Sequence, residues 1–152
     1  MRPRMTALLV LIALVVAGCA HPGDPPLEFV YDTGSMSFLS AAVPIPEHRI
    51  YVVGMADSSS STLDEFSLSW TKPDAASAWA APDEVEELTA PDGRQGRFIT
   101  NRLRSAREPG LTSITMVIAG KGKVTWITTF GRAETVKRRA PEIKAWLRQH
   151  AE

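Results

Sequence analysis

The sequence predicts an α+β domain. The expected architecture is an antiparallel sheet of about six to seven strands, with helices packed on one face and a helix at the C-terminus. Three observations carry this expectation. Short runs rich in β-branched and aromatic residues recur along the chain. Two of them, TSITMVIA and KVTWITTF, flank Gly120-Lys121-Gly122 and read as a hairpin. The closing stretch AETVKRRAPEIKAWLRQHA repeats Val136, Ala140, Ile143 and Leu147 at helical spacing. With 152 residues, 44% hydrophobic and 22% charged, the chain suits a single domain able to bury a core.

The elements follow in order. LEFVY (27–31) reads as a strand. SFLSAAV (37–43) is a further strand, ended or placed at an edge by Pro44 and Pro46. RIYVVGM (49–55) is rich in β-branched residues. EFSLSW (65–70) alternates, with Phe66, Leu68 and Trp70 against Ser67 and Ser69, and reads as a strand joined to the previous one through a hairpin over 57–64. KPDAASAWAAPDEVEELTAPDG then favours helix through its alanines and glutamates. Pro82 divides the region or itself begins a short helix through Leu88, and Pro91-Asp92-Gly93 ends the region as a turn. RFITNRLRS (97–105) places Ile99 and Leu103 on one face. In the hairpin, Ile114, Met116 and Ile118 are expected to share a face with Val124, Trp126 and Phe130. In the terminal helix, Trp146 widens the apolar stripe, Pro141 kinks the helix or begins a second piece, and Lys144 and Arg148 suit its negative end.

The N-terminus has a different composition. Arg2 and Arg4 precede MTALLVLIALVVAG, an apolar run too short to span a bilayer and of the length of a signal-peptide core. Small residues, Ala17 and Gly18, stand before Cys19, the single cysteine of the chain. Val16-Ala17-Gly18-Cys19 resembles the lipobox of bacterial lipoproteins. That resemblance implies a signal peptide over 1–18, cleavage between Gly18 and Cys19, and diacylglycerol on the Cys19 sulfur. The Pro and Gly residues of AHPGDPP after the cysteine make 19–26 the lipidated cysteine and a short linker, and 27–152 is expected to form one globular domain. Two or more acyl chains anchor stably, at about 0.8 kcal/mol per buried methylene. Ala20 stands where an aspartate commonly marks inner-membrane retention, so the resemblance implies the periplasmic face of the outer membrane in a Gram-negative cell. In other envelopes it implies the outer side of the inner membrane.

Candidates for chemistry are few. Asp32-Thr33-Gly34-Ser35 resembles the active-site loop of aspartic proteases, and Val117-Ile118-Ala119-Gly120 the apolar-apolar-glycine segment of that family. One copy implies a homodimer with Asp32 sharing a proton with its counterpart. Tyr31 and Met36 depart from that pattern, and ordinary turn chemistry also accounts for Asp-Thr-Gly-Ser. His21, His48 and His150 lack metal-ligand spacing, so no metal and no cofactor are expected. Gly120-Lys121-Gly122-Lys123 is too short for a phosphate-binding loop. Four tryptophans, Trp70, Trp79, Trp126 and Trp146, suit a packed core or else an apolar pocket that carries a ligand.

Seventeen basic and seventeen acidic residues balance, which gives no reason to expect a nucleic-acid partner. The charges are nevertheless split. Residues 24–92 hold 13 acidic and 2 basic side chains, and residues 93–152 hold 13 basic and 4 acidic. The halves either neutralise each other within the fold or leave a basic surface on the terminal helix. That surface would comprise Lys137, Arg138, Arg139, Lys144 and Arg148, and would face an anionic lipid or an acidic envelope partner. The closing ITMVIAGKGKVTWITTFGRAETVKRRAPEIKAWLRQ resembles the end of PsbP-like domains, a hairpin followed by a helix, and that resemblance implies a non-enzymatic binding or assembly role. The chain is thus expected to be a lipid-anchored, non-catalytic accessory protein of the cell envelope. A carrier with a Trp-lined pocket and an Asp32 protease are the alternatives.

Overall fold

The computed structural model describes residues 23–31, 45–58, 62–104, 110–120 and 122–150. Six strands and two helices run in the order β1 (Glu28–Tyr31), β2 (Arg49–Ser58), α1 (Leu63–Thr71), β3 (Trp79–Thr89), β4 (Gln95–Leu103), β5 (Leu111–Ala119), β6 (Val124–Arg132) and α2 (Ala133–Gln149). The strands form one sheet in the order β1-β2-β6-β5-β4-β3. Every neighbouring pair is antiparallel except β1 with β2, which is parallel. The fold is therefore α+β with a mixed, mostly antiparallel sheet. The expected strand over 37–43 and the Asp32 motif lie outside the described residues.

Two elements exchange their expected types. The segment 65–70 is helical because Thr62 caps it. The Thr62 Oγ1 accepts from the Glu65 amide at 3.2 Å, and the Glu65 carboxylate accepts from the Thr62 amide at 3.2 Å. This reciprocal capping box satisfies two amides that a helix start leaves unpaired. Leu63, Phe66 and Trp70 then share a helical stripe against Ile99, Val117, Val124 and Trp126, while Leu68 points outward, 46% exposed. Removing the cap in Thr62→Ala is expected to destabilise the domain by about 1 kcal/mol. A denaturant titration checks this, and an unchanged midpoint would show that α1 is held by packing alone.

Conversely, 79–89 is an edge strand despite its alanines and glutamates. Its charges alternate between two partners. Glu84 and Glu86 reach Lys144 on α2 at 3.3 and 2.5 Å, and Glu87 reaches Arg97 on the other face at 2.7 Å. Pro82, which cannot donate to a ladder, sits where the register with β4 shifts. Tertiary pairing overrides local helix propensity here. Asn101, fully buried, ties the exchanged elements together: its side-chain amide donates to the Trp70 carbonyl at 2.8 Å and the Ala80 carbonyl at 3.0 Å.

The β5–β6 hairpin also differs in facing. Ala119 pairs with Val124, Met116 with Ile127 and Ser113 with Phe130, so Val124, Trp126 and Phe130 lie with Val117 on the face opposite Met116. Four residues separate Ala119 from Val124, and that loop length pairs even positions with odd ones. The turn between them has Gly122 at φ +75°.

The helices consequently cover opposite faces of the sheet rather than one. α2 packs on Ile50, Phe98, Ile114, Met116, Ile118 and Ile127 through Val136, Ile143 and Leu147. α1 covers Ile99, Val117 and Val124. A third apolar group, Ile45, Leu103 and Leu111 with Tyr51 and Trp79, fills one end of the α1 face, where Trp79 stacks on Phe130 at 5.1 Å. The Val136, Ala140, Ile143, Leu147 stripe packs on the sheet as its spacing requires. α2 bends at Arg139, whose φ of −110° and ψ of 19° leave the helical region two residues before Pro141. Pro141 has no amide to donate to the Lys137 carbonyl and its ring crowds that carbonyl, so the turn before it opens.

Candidate functional site

α2 holds the five cations expected to form a basic surface, and the fold engages four of them. Arg139 is buried, its side chain 3% exposed. It makes two parallel bonds to Glu142, at 2.9 and 2.7 Å, and a third to the Pro25 carbonyl at 2.7 Å. Its neighbour Arg138 pairs with Asp24, and that hydrogen bond raises the guanidinium pKa further above its ordinary value. Lys144 lies between Glu84 and Glu86, and its ammonium stands 5.7 Å from the Phe98 ring centre. Arg148 stands 5.0 Å over the same ring and 3.9 Å from Glu86. Lys137 is exposed and has no ion pair among the described residues.

The charge split thus closes largely within the domain. Arg97 bridges Asp64 and Glu87, Arg102 meets Asp83 at 3.0 Å, and Arg132 meets Glu47 at 3.2 Å. Each joins the basic half of the chain to the acidic half. Exposed pairs of this kind contribute about 0.2–1 kcal/mol apiece. The basic helix is a bonded part of the fold, with Lys137 the cation left over.

Two of these bonds form a clamp. Asp24 and Pro25 lie in the segment before β1, and Arg138 and Arg139 lie at the bend of α2. Beyond the clamp, Leu27 and Phe29 join the α2 core, and Phe29 stacks on Trp146 at 4.3 Å with the rings 5° from parallel. The chain therefore enters the domain along α2 and is fixed to it from Asp24 onward. The Pro-Gly composition of AHPGDPP suggested a plain linker. What it concealed is that buried Arg139 needs acceptors from outside its own helix, and the incoming chain supplies one.

A cleft of about 480 Å³ opens beside the first half of α2. Its floor is Thr112, Ile114 and Val136, all buried, and Ala133 and Ala140 form the helix wall. Asp83, Glu84, Arg102 and Lys137 stand at the rim. The residue sizes explain the opening. Toward the end of α2, large side chains (Phe98, Met116, Ile118) meet Ile143 and Leu147, roofed by Lys144 and Arg148. Toward its start the same sheet face carries Thr100, Arg102 and Thr112, and the helix offers alanines, so the layers do not fill the space. A second, more polar cleft of about 460 Å³ lies around Glu47, Arg132 and Arg138 at the start of the helix.

The tryptophans are placed in packing. Trp70 meets Phe66 and Trp126, each at 5.5 Å, Trp79 stacks on Phe130, and Trp146 lies between Phe29 and His150. Neither of these two clefts has a tryptophan in its lining. Val117-Ile118-Ala119-Gly120 ends β5 and enters the hairpin turn. Among the described residues no three His, Cys, Asp or Glu side chains gather as a metal site, and no helix is long and apolar enough to cross a membrane. Cys19, Gly18 and Asp32 lie outside the described residues.

No family model matches the chain, and no curated protein or solved structure gives a significant match. The likeness to PsbP-like domains accordingly rests on the layout of β5, β6 and α2 alone.

Proposed function

We propose that the chain is a lipid-anchored protein of the cell envelope whose α+β domain binds or helps assemble a partner without catalysing a reaction. Removal of the signal peptide over 1–18 makes Cys19 the first residue, carrying the lipid on its sulfur. The observation that carries this reading is the leader itself: basic n-region, short apolar core, small residues, then the single cysteine. The clamp supports it in geometry. Ala20, His21, Pro22 and Gly23 separate Cys19 from Asp24, where the chain is bonded to α2. At about 3.3–3.6 Å per extended residue, the clamped side of the domain stays within roughly 20 Å of the lipid headgroups. A partner in or at the membrane is the one such a short tether favours.

A Cys19→Ser variant tests this. It is expected to leave the membrane pellet for the soluble or secreted fraction, or to stall as an uncleaved precursor, with the same melting temperature as a solubilised wild-type domain. Continued tight pelleting of a cleaved Cys19→Ser protein would remove the anchor from the account.

A carrier reading without the expected tryptophan lining is favoured by a specific observation, the cleft beside α2. Its volume lies in the ordinary range for small-molecule sites, about 300–1,000 Å³.

A further inference from the structure

We propose that the cleft beside α2 holds an acyl chain of an anionic phospholipid from the membrane to which the domain is tethered. The proposal rests on the anchored reading above, and three observations carry it.

The first is polarity. Ile114, Val136, Ala133 and Ala140 supply the apolar part of the lining, with Thr112 beside them on the floor, and the alanine wall leaves room for a chain of methylenes. Moving methylenes from water into such a surface is favourable in proportion to the apolar area covered.

The second is charge. Four ionic groups stand at the rim, and three are neutralised from within: Asp83 by Arg102, and Glu84 by Lys144. Lys137 is the rim group without an ion pair among the described residues. An occupant that matches this rim carries a negative charge at its polar end and none along its chain. A neutral apolar molecule leaves Lys137 unmatched, and a cationic one is repelled by it.

The third is placement. Lys137 precedes Arg138, the residue bonded to Asp24, so the cleft rim and the clamp share one turn of α2. The tether therefore keeps this end of the helix within roughly 20 Å of the headgroup layer. There an anionic headgroup is met at high local concentration and its chain has a short path into the cleft.

The test uses the full chain in phosphatidylcholine vesicles doped with phosphatidylglycerol bearing a photoactivatable acyl chain. A parallel sample carries the same chain on phosphatidylcholine. Adducts are mapped by mass spectrometry after illumination. The expected result is adducts on the peptides holding Thr112, Ile114, Val136 and Ala140, about fivefold more abundant with the anionic lipid, the factor one surface lysine provides. Lys137→Glu, an exposed change, is expected to erase that preference, and Ala140→Trp, which fills the cleft, to remove the adducts. Adducts scattered over the surface, equal yields from the two lipids in the wild type, or yields indifferent to Lys137→Glu would overturn the proposal. If Ala140→Trp melts abnormally, the Lys137→Glu arm decides. Intact mass separates this claim from the anchor. An unacylated Cys19 with cleft adducts refutes the tether and keeps the cleft, whereas an acylated Cys19 without them refutes the cleft and keeps the tether.

Discussion

Phe98→Ala is expected to lower the unfolding free energy by about 3–5 kcal/mol, the range for removing a buried phenyl ring without collapse of the surroundings. Phe98 is 1% exposed and sits in β4 between Glu86 of β3 and Met116 of β5. Ile143 and Leu147, fully buried, belong to the same cluster. Lys144 and Arg148 lie over its ring, so the ring also supports two cations that the acidic edge strand then neutralises. Loss of the ring removes transferred apolar area, leaves a cavity under the second half of α2, and withdraws two cation–π contacts of about 0.5–1 kcal/mol each at partly exposed sites. Chemical denaturation of the variant measures the total. A loss below about 1.5 kcal/mol would mean that α2 does not bury this face as described.

Glu142→Ala is expected to cost about 3 kcal/mol, more than Arg139→Leu at the same site. Breaking a buried pair by removing one partner leaves the other charge desolvated, a loss of about 3–5 kcal/mol. The asymmetry follows from burial. The Arg139 side chain is 3% exposed and that of Glu142 is 30% exposed. A stranded guanidinium keeps only the Pro25 carbonyl, while a stranded Glu142 carboxylate turns to water. The lower end of the range applies because water reaches Arg139 through the space that Glu142 vacates. Alanine favours helix, so the loss is not one of propensity. The double variant Arg139→Leu/Glu142→Ala is expected to recover most of the loss, since no unpaired charge stays buried. Equal losses in the two single variants, measured in one denaturant series, would contradict this assignment. The same series reports on the clamp: Arg139→Leu deletes the Pro25 bond and exposes residues before β1 to limited proteolysis.

The fold class was legible because its main signals are periodic and long. The α2 stripe of Val136, Ala140, Ile143 and Leu147 and the two runs around Gly120 and Gly122 read the same way in sequence and structure. The exchange of α1 and β3 was not legible from alternation or composition. Phe66, Leu68 and Trp70 fit a period of two as well as Leu63, Phe66 and Trp70 fit a helix, and six residues are too few to separate the periods. The deciding signal was local and available: Thr62 with Glu65 three residues on is a capping box. For β3 the deciding signal was distant. Its glutamates are held extended by Arg97 and Lys144, ten and about sixty residues away, which no local propensity encodes. The facing of Val124 and Trp126 depended on the hairpin loop length, a matter of a single residue.

The candidate site was legible in its residues and not in their roles. Lys137, Arg138, Arg139, Lys144 and Arg148 stand on one helix, as the spacing indicates. That four of them are engaged, one of them buried and bonded to the entering chain, depends on which acidic residues the topology brings near. The cleft has no sequence signature, because it arises from small side chains (Thr100, Thr112, Ala133, Ala140) meeting across two layers far apart in the chain.

The most direct test of the account is the mass of the mature N-terminus, measured on the protein extracted from membranes. The expected N-terminal peptide begins at Cys19 and carries a diacylglyceryl thioether, with or without a further acyl group on its amine. A peptide that begins elsewhere, or a Cys19 with a free thiol, would contradict the anchored reading.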